Sequence, residues 1–326
     1  MIRHTATPRT NPDDLVAQAT SAADGGRLPE ALAHLLAAAE QYRQTGRTSD
    51  ERHCLQFSAT LARLLGNPAA ARIHAMRAAA LSAPGSPAAV SAAAELAECA
   101  LALRDPAGAA EAFRQALEHA ATVPLAPAEE TGLRRKYAAA LCATGRPGAA
   151  ITELRKAHTR LSAGGDRPGA LRALVEAATA AHDGALSAEA DALRAEAFEQ
   201  AQAMADNAAV ADLELLEAAA ALRQNDPNAA LAAARRAREH ALCANTPVSY
   251  VAATTSIAQL QEHTGDRVGA YAALAAGYAT LGDLLGPEEG RATFAPRLAE
   301  LRDRWGAAEF ARVKAAYEAS RRPAQG

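Results

Sequence analysis

The chain has 326 residues and sets 34 basic against 37 acidic side chains, a net charge of −3. That balance gives no general attraction to nucleic acid phosphates, and no unbroken run of roughly 18 apolar residues is present to suggest a membrane span. Half the residues are apolar, but 94 of them are alanine and only five are Phe, six Tyr and one Trp. Alanine has the highest intrinsic helix propensity. β-branched residues are sparse and no segment sustains apolar–polar alternation, so the composition points to an all-α chain.

Taken in order, the N-terminal segment MIRHTATPRTNPDD has no apolar stretch of the kind that directs secretion. Residues 1–11 read as a flexible tail and the chain as cytoplasmic. Helices then follow in pairs: 12–23 and 28–44, 49–65 and 68–82, 87–103 and 106–121, 127–143 and 147–162, 167–182 and 187–204, 207–223 and 227–242, 246–263 and 267–285. Asn11-Pro12, Asn67-Pro68, Ser86-Pro87, Asp105-Pro106 and Asp226-Pro227 each place a good N-cap before a proline at the first helical position. Pro127 and Pro147 also begin helices. The segments LSAPGS (81–86), VPLAP (123–127) and SAGGDRPG (162–169) break one pair from the next. Past Gly286 two more helices, 287–304 and 306–321, carry Leu298, Leu301 and Trp305. They read as a cap over the last repeat, with a docking or dimerising hairpin as the alternative.

A period near 40 residues runs through these pairs. Short turns lead into Ala31, Ala71, Ala109, Ala150, Ala230 and Ala270. Gly26, Gly66, Arg104, Gly145, Asn225 and Gly265 each stand five positions before their alanine. The gap between Ala150 and Ala230 calls for a missing member, and Ala190 supplies it after HDGALSAEA, a turn read as one residue longer than the others. Twelve positions before each alanine stand Ala19, Ala59, Ala97, Ala138, Ala178, Ala218 and Ala258. Seven positions after stand Ala38, Ala78, Ala116, Ala157, Ala197, Ala237 and Gly277. Twenty of the 21 positions are alanine, as expected where antiparallel helices cross too closely for a larger side chain. Four positions after the repeat alanine come Leu35, Ala75, Phe113, Leu154, Arg194, Ala234 and Leu274, and Arg194 makes the fifth repeat the poorest match.

This three-point pattern of small residues resembles the tetratricopeptide repeat, with units lengthened from the usual period of about 34. The likeness covers roughly residues 12–282. It implies a right-handed α-solenoid of seven helix–turn–helix repeats over 12–286, with capping helices and a short tail over 287–326. It also implies a concave face, lined by the first helix of each pair, that takes a protein or peptide. Lengthened repeats of this kind accompany bacterial transcription regulators and peptide-sensing regulators. Some relatives clamp a C-terminal carboxylate with Lys and Asn, but the asparagines have no counterparts here, so that role is not expected.

No phosphate loop, dinucleotide fingerprint, H-E-x-x-H or G-x-S-x-G is present. The pairs Asp13-Asp14, Glu129-Glu130 and Glu288-Glu289 fall at helix starts, where the helix dipole favours them. Cys54, Cys99, Cys142 and Cys243 are widely spaced and read as buried thiols. His34 and His74 share a repeat position, but two imidazoles fall short of a metal site. No catalytic, cofactor-binding or metal residue is therefore assigned. Register places His53, Gln56, Arg63, Glu98, Arg135, Arg172, His182, Asp212 and Gln259 on the concave face. Arg63, Arg135 and Arg172 would share one wall and favour a peptide with acidic groups. The expected function is a non-catalytic scaffold or adaptor for a protein or peptide, with no direct role for nucleic acid or membrane. The alternatives are a peptide- or ligand-sensing regulator working through a separate partner, an enzyme with an unrecognised helical site, and a homodimer formed through the C-terminal hairpin.

Overall fold

The computed structural model describes residues 11–321, and among them every regular element is helical. The helices are α1 (Pro12–Asp24), α2 (Leu28–Thr45), α3 (Thr48–Leu64), α4 (Pro68–Ala80), α5 (Pro87–Ala102), α6 (Pro106–Ala120), α7 (Pro127–Ala143) and α8 (Pro147–Ala163), then α9 (Arg167–Asp183), α10 (Ser187–Ala203), α11 (Asn207–Arg223), α12 (Pro227–Cys243), α13 (Pro247–His263), α14 (Arg267–Leu285), α15 (Pro287–Trp305) and α16 (Ala307–Ser320). Each lies within two residues of its sequence-based bounds.

Local chemistry fixes these ends. Asn67 accepts a hydrogen bond from the Ala70 N–H at 3.1 Å, Ser86 from Ala89 at 3.2 Å, Asp105 from Gly108 at 2.8 Å and Asp226 from Ala229 at 2.9 Å. Each satisfies one of the unpaired donors of a first turn. Asn11 caps α1 in the same way, through Asp13, so it belongs to the helix start and not to the expected tail. The rest of that tail, like residues 322–326, lies outside the described residues.

Between the helices of a pair the chain turns on one left-handed residue. Gly26, Gly66, Gly145 and Gly265 have φ of 72°, 76°, 72° and 85°, and Arg104 and Asn225 adopt 58° and 60°. The fifth turn corrects the sequence reading. It is no longer than the others, because Ala185, five positions before Ala190, takes the left-handed conformation (φ 55°) and Gly184 does not.

All 21 small positions are buried, and none of the twenty alanines is more than 4% exposed. The lone glycine has a local cause. A Cβ on Gly277 would lie 2.8 Å from the Phe294 ring and 2.8 Å from Thr254, because α15 inserts Phe294 there. A Cβ on Gly290 of α15 would likewise meet the Tyr278 carbonyl oxygen of α14 at 2.6 Å.

The helices pack as two compact units that divide within α9, Met1–Ala173 and Leu174–Gly326. In the first, α1 to α8 each pack on the next. Leu35, Tyr42 and Leu55 fill one part of its core, and Phe113 fills another with Ala97, Ala109 and Ala140. In the second, α10 to α16 pack in the same succession, and α16 also reaches α14. Here Tyr250, Ile257, Leu274, Leu281, Phe294 and Leu301 form a continuous core. The C-terminal pair is thus part of the second unit. Tyr271 meets Phe310 and Tyr317 edge-on at 5.5 and 5.4 Å. α16 buries Val313 and leaves Arg312, Lys314 and Glu318 exposed. By length and composition α14 could cross a membrane, yet it turns Tyr271, Leu274 and Leu281 into this core.

Two outcomes follow for stability. Ala230→Leu overfills a closed crossing and should cost about 1–3 kcal/mol, whereas Ala229→Leu on the exposed side of the same turn should stay within about 0.5 kcal/mol. Urea unfolding of the pair measures the difference. Ala185→Gly removes the left-handed strain and should stabilise the protein by about 1 kcal/mol, read as a raised denaturation midpoint.

Candidate partner-binding face

Positions one and four after, and three and six before, the first-helix alanine were expected to share a face. Several of them, Gln56, Thr60, Arg63, Glu98, Asp212 and His182, make side-chain bonds to an alternate helix. In the first unit the Gln56 amide donates to the Ala88 carbonyl at 3.3 Å, from α3 to α5. On the same two helices the Thr60 hydroxyl donates to Glu95 at 3.3 Å and the Arg63 guanidinium at 3.0 Å. Lys136 of α7 reaches Glu98 of α5 at 2.5 Å. In the second unit Ser249 of α13 donates to Asp212 of α11 at 2.8 Å. Arg223 of α11 lies 2.7 and 2.6 Å from the two ring nitrogens of His182 on α9. Burial and that guanidinium together hold the His182 imidazole below its usual pKa.

This ladder changes what the predicted residues can offer a partner. Arg63 and Glu98 are joined to a neighbouring helix, and Arg135 is half-buried and also engaged. Arg63 meets Glu95, which was not anticipated, so its charge is already matched inside the fold. Arg172 is exposed, and His53 is exposed beside Arg52 at 3.1 Å. The expected basic wall of Arg63, Arg135 and Arg172 is therefore not what distinguishes the face.

In the second unit the first-helix side carries an open apolar groove. Between α11 and α13 a recess of about 340 Å³ is lined by Leu215, Ala218, Ala219, Leu222, Ser256, Gln259, Leu260 and His263. Leu222 occupies the same repeat position as Arg63, and its side chain is 46% exposed. Where Arg63 bridges to the next first helix, Leu222 has no charge to bridge with, and this end of the α11–α13 joint, away from the Ser249–Asp212 bond, is open. Gln259, predicted for this face, stands on the rim with Ser256 and His263. Leu215 and Leu222 were not among the residues expected on this face, which are mostly polar or charged. Their signal in the sequence was an apolar side chain at a register position facing away from the core.

At the end of the second unit Glu262 accepts from Arg304 at 2.6 Å and from the Trp305 indole N–H at 2.6 Å. The single tryptophan is thus half-buried, packed against the core and tied by its polar edge. Burial opposes the Glu262 charge, but these two hydrogen bonds outweigh it and lower the carboxyl pKa.

Elsewhere, the Glu40, Glu111 and Glu309 carboxyls are each held at about 2, owed first to an arginine three residues along the same helix. They stand on three separate helices. Acid–base catalysis needs perturbed groups gathered in one cleft. Among the described residues no group of three or more His, Cys, Asp or Glu is arranged to hold a metal. Burial pushes the Cys54 and Cys99 thiols up to about 11. Cys142 is half-buried and Cys243 is exposed, so the expectation of four buried thiols holds for two.

No family model matches the sequence, and no curated protein matches it. Solved structures do. One is a signal transduction ATPase with numerous domains, with a tetratricopeptide repeat sensor, from Pyrococcus horikoshii: 14% identity over 86% of this chain, TM-score 0.60. The match spans only 44% of that larger chain. The apo form of RapI matches at 10% identity over 95% of this chain and 87% of its own, TM-score 0.59. The C-terminal part of a TPR repeat-containing protein from Cytophaga hutchinsonii matches at 15% identity over 79% and 92%, TM-score 0.53. The chain has a tetratricopeptide-like helical repeat fold.

Glu262→Gln should weaken the tether on Trp305, cost about 1–2 kcal/mol and shift Trp305 fluorescence. Because the folded-state pKa is lowered, the tether's contribution is complete above the ordinary glutamate pKa of about 4.3 and is lost as pH falls through the folded value. The wild type should therefore show the same fluorescence shift on acidification, and the variant should not.

Proposed function

We propose that the chain is a binding scaffold that holds an extended peptide segment of a protein partner along the first-helix side of its second unit. One apolar side chain of that segment seats between α11 and α13. The observation that carries this reading is the open groove bordered by Leu215 and Leu222, at the end of the α11–α13 joint away from its one described polar bridge, Ser249 to Asp212. An exposed leucine beside small residues leaves room for a branched or aromatic side chain. Removing such a surface from water supplies roughly 25 cal/mol per Å². Ser256, Gln259 and His263 on the rim can exchange hydrogen bonds with a peptide backbone, which fixes position without a sequence requirement. Arg63 is already paired, so the preferred segment is set by its apolar anchor and not by acidic groups.

Selection from a random peptide library displayed on phage tests the reading. Bound peptides should converge on a Leu, Ile, Met or Phe anchor. Leu222→Asp should weaken the best of them at least about tenfold, as loss of a hot-spot contact does, while leaving helical content and melting temperature unchanged. Selected peptides without an apolar anchor, or an affinity indifferent to Leu222→Asp, would overturn it.

A further inference from the structure

The opposite side of α11 carries a second cavity of different character. Its lining combines Arg194, Phe198, Glu199 and Gln202 of α10 with Leu213, Glu214 and Glu217 of α11 and Arg236 of α12, around about 410 Å³.

What sets it apart is the repeat register. Arg194 stands four after its repeat alanine, where four other repeats carry the buried Leu35, Phe113, Leu154 and Leu274. Glu214 stands four before the first-helix alanine, the place of the buried Leu15, Leu55 and Leu174. Glu217 stands one before it, the place of Leu96, Tyr137 and the buried Ile257. Three positions that build core in other repeats thus bear charge here, and all three line the same cavity. Glu214 is only 5% exposed and receives Arg236 through two bonds of 2.8 Å. Arg194 meets Glu217 at 2.7 Å. Placing ions where the scaffold would accept leucine weakens packing and is rarely compensated in stability alone. Such local inconsistencies concentrate at functional sites.

The lining also limits the ligand. Two arginines oppose three glutamates, which leaves one negative charge in excess. Phe198 and Leu213 add an aromatic and an apolar wall beside those carboxylates. We propose that this cavity binds an organic cation, a primary ammonium or guanidinium attached to a short apolar body. The positive head would sit among Glu199, Glu214 and Glu217, and the body would lie against Phe198, whose ring face also attracts cations. Arg194 and Arg236 orient two of the carboxylates and keep the empty site from carrying their full charge. The same chemistry is presented by a free small amine and by a lysine or arginine side chain of a peptide.

Titration calorimetry on the full chain, with n-butylammonium, N-acetylarginine amide and propionate as probes, decides the matter. Saturable binding of a cation is expected, weakened about tenfold in Glu217→Gln and in the exposed Glu199→Gln, since each removes one charge-assisted partner. Binding of butylammonium alone identifies a free amine; binding of the arginine amide identifies a peptide side chain. A combined Arg194→Leu, Glu214→Leu, Glu217→Leu variant should restore an ordinary repeat core, keep its helical content and lose binding. Failure of both cations to bind, tighter binding of propionate, or affinities unchanged in both glutamine variants would overturn the proposal.

Discussion

Close approach of paired helices through alanine methyls is the constraint on which the structure depends. At twenty positions an alanine, and at one a glycine, lies buried where neighbouring helices cross. A small contact residue brings two helix axes near enough for the rest of each surface to interlock. Few aromatic residues are then needed, and Phe113, Phe294 and Tyr250 pack among the alanines of the core. Gly277 is the limiting case, since the close approach of Phe294 removes even the methyl.

Repetition of one packing solution leaves two surfaces for other work. On the first-helix side, polar residues bridge successive repeats, as Arg63 and Glu95 or Ser249 and Asp212 do. Each bridge holds one helix pair to the next and at the same time fills space a partner could have used. The α11–α13 joint keeps the Ser249–Asp212 bridge at one end but carries Leu222 at the other, where a groove lies. On the other side of α11, charged residues at core positions prevent a repeat joint from closing. α11 is thus the helix at which both departures from the pattern are expressed.

The C-terminal pair ends the series by supplying its own apolar surface. Phe294 and Leu301 of α15 and Val313 of α16 cover α14, while Arg267 and Glu309 bond at 2.9 Å across the edge. An end repeat without such cover would expose Leu274 and Leu281 to water. Arg312, Lys314 and Glu318 instead meet the solvent.

Helix number, helix ends and the buried face were legible in the sequence because they depend on local or periodic quantities. Cap chemistry at Asn67 or Asp226, the left-handed residue of each turn, and the 40-residue recurrence of alanine all act over a few neighbours or repeat without change. Ala185 shows where local reading fails: the turn HDGALSAEA read as one residue longer, but Ala185, five positions before Ala190, takes the left-handed conformation and the turn matches the others. The candidate site needed the third dimension. Which charges pair across repeats depends on side chains more than thirty residues apart, so Arg63 could not be matched to Glu95 from spacing alone. Whether Leu222 borders an open groove or a closed joint depends on what α13 places opposite. The sequence by itself determined the helices and the surface they bury; the tertiary structure decided which of the remaining positions stay open to a partner, because that depends on neighbours distant in the chain.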